Sequence, residues 1–185
     1  MSEKVRVYGD RSSQRKESTR VMVISAILLA VGAITHTVFS GPDFLLACMF
    51  VAIAISNNKK EVFAITVAAG LLTGFTQVNP VGTVASLFDK LISGFFFLFI
   101  INMFGEKYKN NLIYFAAAVV LSTILSGYIY FASYYFIGKL VGLPPTMKIM
   151  QRGILIPVLT LVMPTACANG FIATIINRAY KLTRF

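Results

Sequence analysis

The sequence contains no tryptophan, a single histidine and only two cysteines. It is also poor in charge. Asp, Glu, Lys and Arg make up 13% of its 185 residues, where a soluble domain carries about 25%. Each shortage excludes something. Cys48 and Cys167 lie in separate apolar runs with no C-x-x-C pair, so neither a disulfide framework nor a zinc site is expected. They read as small buried apolar residues. One histidine and seven acids leave little for acid–base chemistry, and five of the acids (Glu3, Asp10, Glu17, Glu61, Glu106) fall outside the candidate ligand region. No H-E-x-x-H, G-x-S-x-G or P-loop occurs. The chain is therefore not expected to be an enzyme or to hold a metal or cofactor. Any ATP hydrolysis would fall to other subunits.

What the sequence has in quantity is apolar surface: 57% of residues are hydrophobic and mean hydropathy is +0.76. The net charge of +10 could suggest nucleic acid, but the basic residues sit in short clusters between apolar runs and form no continuous stripe. Membrane lipid is the expected surrounding. Six apolar runs appear: Val21–Phe39, Phe44–Ile55, Val62–Val78, about Val84 to Phe104, Leu112 to about Ile137, and Gly153–Ile176. A lone helix needs about 20 residues to cross a bilayer, fewer if neighbours shield it. The second run is the short one, and Gly41 and Pro42 suggest that it opens in a tight turn. The expected fold is all-α, a single bundle of six transmembrane helices over residues 21–178. A basic cytoplasmic tail, poorly ordered, precedes it (residues 1–20), and a short cytoplasmic tail follows (179–185). The first run is long enough for a retained span and lacks the short core and cleavage site of a secretory signal.

Orientation follows from Lys and Arg. With the N-terminus inside, thirteen of the 17 fall on the inner side and four (Lys90, Lys139, Lys148, Arg152) on the outer side. The positive-inside rule then favours both termini in the cytoplasm of a multi-pass cell-membrane protein. Small residues are frequent in the first and third runs, as helix–helix contact in lipid requires. Ala26 and Ala30 share one helix face, which serves either packing within the bundle or docking of another membrane subunit.

Polar groups inside lipid are costly, about 2.5–3.5 kcal/mol for an acid at a helix centre, and tend to face a cavity or a partner. Here they gather toward the outer side: His36 near the end of the first run, Asp43 opening the second, Gln77 and Asn79 closing the third, Asp89 and Lys90 in the first turns of the fourth, and Tyr128, Tyr130, Tyr134 and Tyr135 along the fifth. Asp89 and Lys90 are adjacent, point about 100° apart on a helix and need not pair. Asn169 lies nine residues before Arg178, about 13 Å along a helix, near mid-membrane. Pro164, just before it, frees a backbone carbonyl one turn earlier. Plainer readings stand beside these: headgroup-level His36, interfacial charges, an aromatic belt, and interhelical bonding by Asn169. Together, though, an acid, a base, amides and rings on one side are the parts that hold a zwitterionic aromatic molecule.

Three segments carry a family resemblance: Ala26-Ile-Leu-Leu-Ala30, the stretch from His36 to Leu45 with Pro42-Asp43, and Asn79-Pro80-Val81-Gly82 through Phe88-Asp89-Lys90. Over about residues 21–178 the chain resembles the bacterial tryptophan-transport proteins of the TrpP type, which look like substrate-binding S components of energy-coupling factor (ECF) transporters. The resemblance implies an S component that captures tryptophan from outside and joins a transmembrane coupling subunit and two cytoplasmic ATPases. The polar and aromatic residues on the outer side supply the candidate substrate site, His36, Phe39, Asp43, Gln77, Asn79, Asp89, Lys90, Tyr128, Tyr134 and Asn169, and the resemblance implies that Ala26 and Ala30 dock the coupling subunit. An S component for another small molecule such as a vitamin, a stand-alone ion-coupled amino-acid transporter, and a membrane structural protein remain as alternatives.

Overall fold

The computed structural model describes residues 3–38, 43–56, 58–77, 79–103, 111–142 and 155–183. They form six helices: α1 (Glu3–Val38), α2 (Phe44–Ile55), α3 (Lys59–Phe75), α4 (Pro80–Met103), α5 (Leu112–Leu140) and α6, which is built from Leu155–Pro157, a π-helical turn Val158–Val162 and Met163–Leu182. Among the described residues there is no strand. Four helices are long and apolar enough to cross a membrane: α1 from Arg15 on, α4, α5 and α6 from Val158 on.

Side-chain caps set most helix starts. Asp43 caps α2 by accepting from the Leu46 amide at 3.0 Å, and Asn58 caps α3 by accepting from Lys60 at 3.0 Å. Asn111 caps α5 by accepting from Ile113 at 2.9 Å. Each satisfies a backbone N–H that has no partner within its own helix. Asn79 accepts from Val81 at 2.9 Å and places Pro80 at the first helical position, where a missing N–H costs nothing. The fourth helix therefore begins at Pro80 rather than near Val84, and Asp89 and Lys90 sit more than two turns inside it. Helix α1 begins at Glu3, so the basic segment read as a tail continues the first span as helix.

Helix α2 is the axis of the bundle. It packs against all five other helices, and ten of its 12 residues are buried. This explains how so short a run serves: it meets protein on every side and never has to match the bilayer alone. Lipid is as apolar as these side chains, so close packing rather than water exclusion holds the helices together. Phe50 of α2 stacks on Phe97 of α4 at 4.8 Å between ring centroids, and Phe97 meets the edge of Phe115 of α5 at 5.9 Å. Helices α3 and α4 approach closely because Gly70 has no side chain; a Cβ there would lie 3.0 Å from the Leu87 Cα.

Two features of α1 and α6 bear on function. On α1, Ser25, Leu29 and Gly32 face the bundle, while Ala26 and Ala30 are exposed beside Val23, Ile27 and Ile34. The Ala26–Ala30 face is thus not spent on packing within the bundle. On α6, the π turn ends just before Pro164. Proline cannot donate to the carbonyl four residues back and its ring crowds that carbonyl, so the backbone widens by one residue per turn there.

Candidate ligand-binding site

All six helices contribute to a cavity of about 230 Å³. His36 comes from α1, and Asp43 and Leu46 from the start of α2. Thr73 of α3 and Gln77 beyond it form one wall, and Ser86, Asp89 and Lys90 of α4 a second. Helix α5 supplies Thr123, Ser126, Gly127, Tyr130 and Phe131, which recur at helical spacing on one face. Leu161, Val162 and Thr165 of α6 line the side where the π turn bulges. Gly127 lets that bulge approach α5, since a Cβ on it would fall 2.4 Å from Val162 Cγ2.

The polar centre is a charge cluster. Lys90 Nζ donates to Asp43 Oδ2 at 3.0 Å and to Asp89 Oδ2 at 2.9 Å. Adjacent residues on a helix diverge, but the lysine stem is long enough to turn its ammonium back onto its neighbour. Lys90 and Asp89 are only 3% and 2% exposed, so these are charges inside the bundle rather than at the headgroups. Lys90 therefore does not belong in the tally of outer-loop charges. His36 Nδ1 stands 3.7 Å from Asp43 Oδ1, too far for a hydrogen bond and near enough for electrostatic contact. Two carboxylates and one ammonium leave the cluster with a formal excess of one negative charge when His36 is neutral.

Several cavity groups lack partners. Asp89 Oδ1, beside Ser126, and the hydroxyls of Ser86 and Thr123 are buried without a hydrogen bond of ordinary geometry. His36 Nδ1 is likewise unpartnered. Buried polar groups in native proteins are nearly always satisfied, so these orphans around one cavity call for an explanation. The hydroxyls of Thr73 and Thr165, by contrast, donate to carbonyls of their own helices. The aromatic wall is organised from above. Tyr130 Oη donates to Gln77 Oε1 at 3.2 Å, and its ring packs against Tyr134 at 6.1 Å. Tyr134 Oη in turn accepts from Asn79 Nδ2 at 3.4 Å.

Comparison with known proteins identifies the family. The family described as tryptophan transporter TrpP matches residues 18–183. The chain belongs to the TrpP family. Relatives named "Probable tryptophan transport protein" are 31% identical over 75% of this chain and 81% of their own in Bacillus subtilis. The Clostridium acetobutylicum relative is 29% identical over 86% of this chain and 91% of its own. No solved structure matches. Four membrane-spanning helices and membership of this family make the chain a multi-pass bacterial membrane transport protein.

In this TrpP family member the residues singled out from sequence divide into three groups. His36, Asp43, Gln77, Asp89 and Lys90 meet at the cavity. Asn79 and Tyr134 form a second tier behind Gln77 and Tyr130. Tyr128 is half exposed on the other side of α5, and Asn169 is fully buried one turn beyond Thr165, with neither end of its amide paired. Phe39 lies outside the described residues, as does Arg152. The sequence reading passed over Tyr130 and the hydroxyls of Ser86, Thr123 and Ser126 as site residues. A stripe of small residues at 123, 126 and 127, continued by a tyrosine at 130, was the available signal.

Proposed function

We propose that this chain is the ligand-binding membrane subunit of an ECF-type uptake transporter and that its ligand is tryptophan. The observation that carries the reading is the Asp43–Lys90–Asp89 cluster facing a cavity walled by Tyr130 and Phe131. Charged groups for the amino-acid head lie beside rings suited to stacking on an indole. A volume of about 230 Å³ falls below the roughly 300–1,000 Å³ of pockets for drug-sized ligands and suits one amino acid. The names of the relatives point to the same ligand. With no nucleotide-binding loop in the sequence, the energy for active uptake is assigned to partner subunits rather than to this chain. The exposed Ala26–Ala30 face offers a flat surface for a coupling subunit that recruits two ATPases. Both termini are assigned to the cytoplasm, with the cavity nearer the outer side.

The chain has no tryptophan of its own, so ligand fluorescence can be read directly in a titration of purified protein. Saturable, blue-shifted and polarised indole emission is expected. Absence of binding, with a vitamin binding instead, would remove tryptophan and keep the S-component role. Uptake that persists in cells lacking the coupling subunit and ATPases would remove that role and favour an ion-coupled transporter.

A further inference from the structure

The cavity specifies which end of an amino acid it grips. A zwitterion brings an ammonium and a carboxylate, and the obvious pairing would set Lys90 against the ligand carboxylate. The geometry opposes this. Lys90 has three donors, and two are already engaged by Asp43 and Asp89 at 3.0 and 2.9 Å. Its charge is more than matched by theirs. What remains open around the cavity is acceptor capacity at Asp89 Oδ1, on a residue 2% exposed with the Ser126 hydroxyl beside it, together with the neutral hydroxyls of Ser86 and Thr123 and the Nδ1 of His36.

We infer that the site selects its ligand through a positively charged amine received at Asp89 Oδ1, with Lys90 acting as an internal counter-ion that positions both aspartates rather than as the carboxylate receptor. The ligand class is then a primary alkylammonium whose chain carries an aromatic ring. The carboxylate is a tolerated addition that meets the Ser86 and Thr123 hydroxyls. An incoming ammonium brings the local charge from minus one to zero and fills the orphaned acceptor. An incoming carboxylate without an amine raises the negative charge to minus two in a buried volume, where like charges are strongly disfavoured. The inference deepens the tryptophan reading and rests on it only for the identity of the ring.

The test is a ligand panel on detergent-solubilised full-length protein, read by fluorescence and by ligand-induced shift in melting temperature. Tryptamine and phenethylamine carry the amine alone; indole-3-propionate and phenylpropionate carry the acid alone. Tryptamine is expected to bind within about 10-fold of tryptophan, because only contacts to neutral hydroxyls are lost. Indole-3-propionate is expected to bind at least about 100-fold more weakly, the effect of deleting one partner of a buried charged pair. Asp89→Asn should collapse the difference between amine and acid, whereas Ser86→Ala should weaken tryptophan more than tryptamine. Stabilisation by the acids and not the amines, or by neither set, overturns the inference. Stabilisation by the amines while tryptophan itself fails to bind would sink the tryptophan assignment and leave amine recognition standing.

Discussion

Replacing Lys90 by methionine keeps much of the side-chain length and removes the charge, so it isolates the energetics of the cluster. The ammonium lies 3.0 Å from one carboxylate and 2.9 Å from the other. At an effective dielectric of about 20, each contact is a gross attraction of about 5.5 kcal/mol. Much of that is offset by stripping water from three ionised groups, at several kcal/mol per ion. What the variant exposes is the penalty for stranding the partners, about 3–5 kcal/mol when one member of a buried pair is deleted. Two carboxylates are stranded here, but one can take up a proton, and Asp43 keeps its bond from the Leu46 amide and is the more solvated of the two. The expected loss for Lys90→Met is therefore near the lower end, about 3 kcal/mol. Adding Asp89→Asn removes the surplus carboxylate and should restore about 0.5–3 kcal/mol, the usual coupling between residues in direct contact. Denaturant titration of the detergent-solubilised proteins, fitted with a common slope, measures both. A single variant that loses less than about 1 kcal/mol, or a double variant no more stable than the single, would refute the idea that these three residues act as one unit.

Substitutions at three further places probe other parts of the structure. Gly127→Val puts a Cβ 2.4 Å from Val162 Cγ2 and 2.6 Å from its Cγ1, a clash that rotation of one methyl cannot relieve. It should cost about 1–3 kcal/mol as overpacking and weaken ligand binding beyond that loss, measured by melting and titration together. Ala26→Leu with Ala30→Leu adds bulk on an exposed face. Stability should stay within about 0.5 kcal/mol and ligand binding should be unchanged, while whole-cell uptake falls if that face docks a coupling subunit. Glu61→Ala removes the carboxylate that accepts from Ser18 of α1 at 2.5 Å and from Ser56 at 2.8 Å. Leaving those hydroxyls without their acceptor should cost about 1–3 kcal/mol, and Glu61→Gln should recover part of it.

The helices were legible in the sequence because hydropathy and polar breaks carry the same information in lipid as packing does in water. Caps at Asn58, Asn79 and Asn111 could also have been read, and Asn79-Pro80 would have moved the start of α4 to its true place. What sequence order could not convey is which neighbours a flexible side chain chooses. The separation of Asp89 and Lys90 by one helical step suggested two independent charges; the lysine folds back and joins them, with Asp43 arriving from a helix 47 residues away. Tyr128 and Tyr130 looked equivalent as members of an aromatic cluster, and only the face that α5 turns toward the bundle separates them. Pro164 signalled a local break, but not that its consequence would be a π turn pressed against Gly127.

The short second helix, the least secure span from hydropathy, explains why there is a cavity at all. Twelve residues reach about 18 Å, against a hydrocarbon thickness of about 30 Å. Its Ile55 end runs straight into the polar turn where Ser56 and Ser18 meet Glu61, so that end is anchored at one surface of the bundle. The deficit falls at the other end, where Asp43 starts the helix. Around it the longer helices continue: α1 passes Leu45 at Gly32 and runs on to Val38, and α4 has already made nine residues of helix before reaching Asp89. An axial helix of full length would fill the space between them with side chains. A truncated one leaves a chamber roofed by Gln77 and Tyr130 and floored by its own first turn. The same truncation lowers an N-terminus into the bundle, where its free amides must be satisfied. Asp43 does this with one oxygen and holds Lys90 with the other. The residue that ends the helix early therefore also seeds the charge cluster, and the architecture and the chemistry of the site share one cause.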